Sequence, residues 1–107
     1  MPIPHQIAQK LHAVSEEGIE RAHDLIDLQI IGVNETIDYS LTKNVCTRLF
    51  NFRKLQAWPP AVVKGDNWDS LYTAQVGDLD VFANVDEAIA WANDFIHTID
   101  SYEFEIM

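Results

Sequence analysis

The chain has a single cysteine, Cys46, in 107 residues, so no internal disulfide can form and the fold must hold by packing. Four glycines and four prolines are too few for the many tight turns of a sandwich or barrel. Basic residues are scarce: seven Lys and Arg stand against seventeen Asp and Glu, for a formal charge of −10. That excess repels a phosphate backbone and disfavours nonspecific nucleic-acid binding by the surface as a whole, while leaving room for one local basic patch. No apolar run reaches the length of a membrane span. Met1-Pro2-Ile3-Pro4-His5 also lacks the basic start and apolar stretch of a signal peptide. The expected location is cytoplasmic, with no membrane partner.

What is present points to one packed domain over residues 1–107. Hydrophobic residues make up 48% of the chain, with three Trp, five Phe and three Tyr, which is ample for a core and unlike a disordered segment. Cys46 lies in an apolar helical pattern, where a buried, inert thiol is expected.

Helical periodicity dominates. Pro4 can open a helix on which Ile7, Ala8, Leu11 and Val14 share a face, ended or bent by Ser15-Glu16-Glu17-Gly18. A second helix is expected from about Ile19 to Ile31, with Ala22, Leu25, Ile26 and Ile30 inward and Gly32 as its stop. After a polar turn from Asn34 to Asp38, the residues Leu41, Val45, Leu49 and Phe50 or Phe52 form a third apolar stripe. Lys43, Arg48, Arg53 and Lys54 gather four of the seven basic residues in and just after it. Trp58-Pro59-Pro60 breaks the pattern, and Ala61 to Lys64 is at best one short extended segment. Asp66 is placed to cap a fourth helix bearing Trp68, Leu71 and Tyr72. Asn84-Val85-Asp86-Glu87 has the form of a capping box before a last helix with Ala88, Ala92, Phe95, Ile96 and Ile99 on one face. The expected fold is all-α, about five helices with at most a minor extended segment.

Few constellations carry chemistry. His12 with Glu16 and His23 with Asp27 are four apart on helical faces, but a zinc site needs three or four converging ligands, and HExxH is absent, so no metal site is expected. Asp78 and Asp80 flank Leu79, and on a strand two such carboxylates point to one side, where they can hold magnesium. The Gly-Ser loop such a site needs is missing upstream, so a solvated connection is the preferred reading. No P-loop, dinucleotide turn or GxSxG occurs. Trp58, Trp68 and Trp91, with Arg53 and Lys54 near the first, suit base stacking in principle, but core or interface roles fit their apolar context better. Asp24 and Asp27 share one side of a helix with Arg21 one turn before, which by itself reads as an exposed ion-pair ladder.

Two of these segments resemble a known family. Gln6-Ile7-Ala8-Gln9-Lys10-Leu11-His12-Ala13 resembles the "AEKLHA" helix of AbiEii/AbiGii-type nucleotidyltransferase toxins of type IV toxin–antitoxin systems. Arg21-Ala22-His23-Asp24-Leu25-Ile26-Asp27-Leu28 resembles their "RxKDLxDL" helix, with His23 where the family usually has Lys. In that family the two motifs follow one another in this order after the catalytic core. Phe50-Asn51-Phe52-Arg53, Trp58-Pro59-Pro60 and Trp91-Ala92-Asn93-Asp94-Phe95 are similar to helical tails of some members. The resemblance implies Lys10 near a nucleotide triphosphate as a charge stabiliser, and Asp24 in the active-site wall, orienting Lys10 or an acceptor. Arg21, His23 and Asp27 are implied as supporting residues. It also implies transfer of nucleotides from NTP to an RNA or other acceptor, with an antitoxin as partner. The Gly-Ser loop and paired-Asp strand that bind magnesium and NTP in that family would lie upstream of Met1. Without them this chain is expected to bind no cofactor and to be inert alone.

Three readings therefore stand. As the C-terminal helical part of such an enzyme, the chain should place Lys10, Asp24 and Asp27 on one accessible face. As a stand-alone interaction module, it should show an exposed aromatic patch, with Lys10 free of Asp24. As a complete small hydrolase or transferase, it should hold Asp78 and Asp80 in a cleft beside a basic group. A homodimer is expected under either of the first two.

Overall fold

The computed structural model describes residues 2–16, 22–54 and 57–102. These form five α-helices: α1 (Ile3–Val14), α2 (Ala22–Asn34), α3 (Tyr39–Arg53), α4 (Trp68–Val76) and α5 (Val85–Ser101). No strand occurs among the described residues, so the domain is all-α, and the 61–64 segment is irregular. No helix among them is long and apolar enough to cross a membrane.

Helix α1 carries proline in its first turn, where the missing amide hydrogen is no loss, and buries Ile7, Ala8, Leu11 and Val14 as its spacing predicts. Its end is closed by Ser15, whose hydroxyl donates to the Leu11 carbonyl at 2.6 Å. Helix α5 begins at Asn84, whose side chain accepts from the Glu87 amide at 2.9 Å, and buries Ala88, Ala92, Phe95, Ile96 and Ile99.

Helix α2 runs through the middle, packed on α1, α4 and α5. This explains why its inward residues extend nearly halfway round it, from Ala22, Leu25 and Ile26 to Leu28 and Gln29. The start expected at Ile19 lies outside the described residues. Its end differs from expectation, because Gly32 is not a stop and the helix continues to Asn34. The glycine is there for space: a Cβ at position 32 would come within 3.0 Å of Cζ2 of Trp91, which α5 lays across it.

Helix α3 is rotated from its expected face. Thr42, Cys46 and Phe50 are buried, Val45 and Leu49 are half-buried, and Leu41 and Phe52 face solvent, Phe52 at 84% exposure. α1 packs more extensively on α3 than on any other helix, and the small Thr42 and Cys46 side chains let the backbones approach where larger residues would hold them apart. Burial pushes the Cys46 thiol up to about 12, so it is the inert sulfur expected. Asp38 caps α3 by accepting from the Leu41 amide at 3.0 Å, and Lys54 closes it in the left-handed conformation.

The cap of α4 is Asn67 rather than Asp66, and its side chain makes no capping bond to the helix. The helix is anchored instead by Trp68 and Tyr72, both buried. The segment before it is tied by Asn93 of α5, which accepts from the Val62 amide at 2.8 Å and donates to the Val62 carbonyl at 3.2 Å. This pair does the work a neighbouring strand would do, satisfying both backbone groups of a buried residue.

Candidate functional site

The residues singled out in the first two helices converge. Lys10, in the middle of α1, directs its ammonium across the interhelix gap to α2. There Nζ donates to Asp27 Oδ2 at 2.9 Å and lies 3.6 Å from Asp24 Oδ1. Asp24 and Asp27 sit three apart on α2, one turn of the helix, and so face the same cation. Burial alone would lower the Lys10 pKa. The hydrogen bond and charge of Asp27, with the nearby charge of Asp24, outweigh that and hold it above its ordinary 10.5.

The cluster is graded in depth. The Asp24 side chain is only 8% exposed, that of Lys10 26%, and Asp27 and His23 are more open. Asp24 is thus more deeply placed than an exposed ladder implies. His23 Nε2 stands 3.6 Å from Asp24 Oδ1 on its solvent side. Arg21 lies outside the described residues.

Lys10 and Asp24 line a shallow open depression of about 440 Å³ whose other walls are Gln6, Gln9, Ala13 and Arg53. Arg53 enters from α3, the last helical residue before the left-handed Lys54. Its guanidinium donates to His12 Nδ1 at 3.3 Å. His12 is buried at 2% exposure, its ring packed edge-on against Phe50 at 5.0 Å. Neither role was read from the sequence, which pairs His12 with Glu16 and groups Arg53 with Lys54 and Trp58. The one signal available is spacing: Arg53 follows the core residue Phe50 by one helical turn, and so emerges at the edge of the same interface.

Burial, then the Arg53 charge, lowers the His12 pKa below its ordinary 6.5, and Glu16 opposes this only in part. The unfolded chain therefore takes up this proton before the folded one does. The contribution to stability is complete above pH 6.5 and is lost progressively as pH falls from 6.5 towards the folded value. Urea midpoints measured from pH 7.5 down to pH 5 should decline, and the decline should be shallower in His12→Asn, which keeps a neutral acceptor. Equal slopes in the two proteins would show that His12 does not titrate on unfolding.

The other candidates separate from this site. Asp78 and Asp80 lie on the exposed connection between α4 and α5, not on a strand. The cavity of about 320 Å³ beside Asp80 is walled by Gln29, Val33, Val81, Phe82 and Trp91, with no basic group. The third reading lacks the cleft chemistry it needs. Trp68 is buried, Trp91 stacks on Phe95 at 5.1 Å, and Trp58 donates its indole N–H to Asp100 at 3.0 Å. No group of three or more His, Cys, Asp or Glu among the described residues is placed to hold a metal ion.

No protein-family model matches the chain, and no curated protein is significantly similar to it.

Proposed function

We propose that this chain is the helical half of a nucleotidyltransferase of the AbiEii/AbiGii toxin type, supplying Lys10 and Asp24 to a site completed by a separate catalytic half. The observation that carries this is the meeting of Lys10 with Asp24 and Asp27 across two helices, at the edge of an open depression. A stand-alone interaction module gives no reason for Lys10 to meet Asp24. The cation is held by Asp24 on its buried side and by the more open Asp27, and its remaining N–H donors are available to a ligand in the depression. In this role it would steady negative charge developing on a transferred phosphoryl group, with Asp27 and Asp24 keeping it oriented and protonated.

The carboxylates here do not suit magnesium. Both already face Lys10, and a divalent ion would have to displace it. The metal ligands and most contacts to the triphosphate therefore belong to the other half, and this chain alone should not turn over.

The test begins with the DNA upstream of the Met1 codon. A reading frame encoding a Gly-Ser loop and a paired-Asp strand is expected there. Its product, mixed with this chain, should transfer label from NTP to RNA. Lys10→Ala should lower that transfer by about a hundredfold or more while leaving the fold intact. A mixture as active without this chain, or an upstream region with no such frame, would overturn the proposal and leave an interaction module.

A further inference from the structure

The charge of Lys10 is already answered. With Asp24 and Asp27 facing it, the three groups together carry −1, so Lys10 can steady a phosphate already held nearby but does not by itself draw one in from solution. A depression meant for an anion needs another cation, and one is present. Arg53 lines the same walls and makes no ion pair with a carboxylate among the described residues. Its hydrogen-bond partner is an uncharged acceptor, the His12 ring, which fixes the guanidinium without neutralising it.

The surroundings agree. Helices α1 and α3, which supply every wall of the depression except Asp24, contain no Asp or Glu, although the chain has seventeen. Lys10, Lys43, Arg48, Arg53 and Lys54, five of the seven basic residues, lie on these two helices or at the end of α3. Among the described residues the acids are on α2, α4, α5 and the connections. An acidic protein thus keeps these two helices free of acid, with Glu16 just past the end of α1, Asp38 at the cap of α3 and Asp24 on the far wall of the depression.

We infer that Arg53, held in place by His12, is the anion-binding group of the Lys10 depression, and that its ligand is a phosphate chain. The planar guanidinium offers paired N–H donors that match two phosphate oxygens, which the Lys10 ammonium, turned towards Asp27, does not. His12 is a positioning residue: it touches Arg53, not the ligand. The inference rests on the nucleotidyltransferase reading for the identity of the ligand, and on the geometry alone for the residue.

The experiment uses the full chain and inorganic triphosphate, with binding followed by calorimetry and by the Arg53 side-chain N–H signal in NMR. The wild-type chain should bind, and the Arg53 signal should shift. Arg53→Gln should weaken binding about tenfold or more, and Arg53→Lys should recover part of the loss. Arg48→Gln, which changes charge equally on the same helix outside this depression, should have little effect. His12→Phe should weaken binding in parallel and broaden the Arg53 signal, with circular dichroism unchanged.

An Arg53→Gln variant that binds as well as wild type would overturn the inference. So would an Arg48→Gln variant that loses as much, since that marks diffuse attraction rather than a site. Absence of binding by the wild-type chain would also overturn it, while the nucleotidyltransferase reading would still be decided by the upstream gene and the transfer assay. Loss in Lys10→Ala but not in Arg53→Gln would move the phosphate to Lys10, removing this inference and strengthening that reading.

Discussion

Phe50→Ala is expected to destabilise the domain by about 4 kcal/mol, the usual scale for emptying a buried aromatic site. That corresponds to a fall in Tm of roughly 15–30 °C for a domain of this size. Phe50 is 1% exposed, with its ring between His12 at 5.0 Å and Trp58 at 5.4 Å, both edge-on. Truncation removes both aromatic contacts as well as the buried area, and neither neighbour is free to fill the gap. Trp58 is tied to Asp100, and His12 to Arg53. The loss also reaches the candidate site, because the ring that seats His12 indirectly seats Arg53. Thermal and urea denaturation measure it. A Tm change under about 5 °C would mean that the α1–α3 interface closes over the cavity, and that Phe50 does not hold the site.

Gln29→Leu should cost about 3 kcal/mol although it replaces a polar core residue by an apolar one of similar size. Gln29 is buried in α2 and uses both ends of its amide. Nε2 donates to the Tyr72 hydroxyl at 3.0 Å, and Oε1 accepts from the Phe82 amide at 2.9 Å. Tyr72 closes the ring by donating to the Phe82 carbonyl at 2.6 Å. One side chain thereby fixes the α4–α5 connection to the core at a single residue, with every group in the ring satisfied. Leucine would leave the Phe82 amide without its acceptor and the Tyr72 oxygen without its donor, and unpaired buried groups are what make such changes expensive. Denaturation gives the size of the effect, and hydrogen exchange gives its place: protection at Phe82 should fall before that of α1 or α5. Tyr72→Phe should be milder alone and less than additive with Gln29→Leu, since both break the same ring. Full additivity would show that the two side chains act independently.

Local signals served best where a helix carried its own start and a stripe of large residues. α5 has the Asn84 cap and five large or small apolar residues at helical spacing, and its face is as expected. α3 shows the opposite case. Leu41 and Phe52 are more hydrophobic than Thr42 and Cys46, so hydropathy favours a stripe through the former, yet the helix turns the latter inward. What decides is fit: small side chains admit α1, and their merit is invisible until α1 is there. Gly32 misleads for a similar reason. Locally it is a helix stop, whereas in the fold it is the space required by Trp91, a residue of another helix.

The candidate site divides along the same line. Lys10, Asp24 and Asp27 could be singled out because each helix carries its own periodicity, and two short motifs carry a resemblance. Their grouping on one face of α2 follows from 3.6 residues per turn alone. Composition and periodicity by themselves determined an all-α domain with a buried thiol and an acidic surface, and the resemblance carried by two short motifs added these three residues as candidates. Only the tertiary structure decided that Lys10 spans to Asp24 and Asp27 and that Asp24 is the deep member of the trio. It alone put a neutral His12 behind Arg53 at the same depression. The physical reason is range. Helical periodicity acts over a few residues, while burial and charge pairing depend on which distant helix arrives at the contact, and no single segment encodes that.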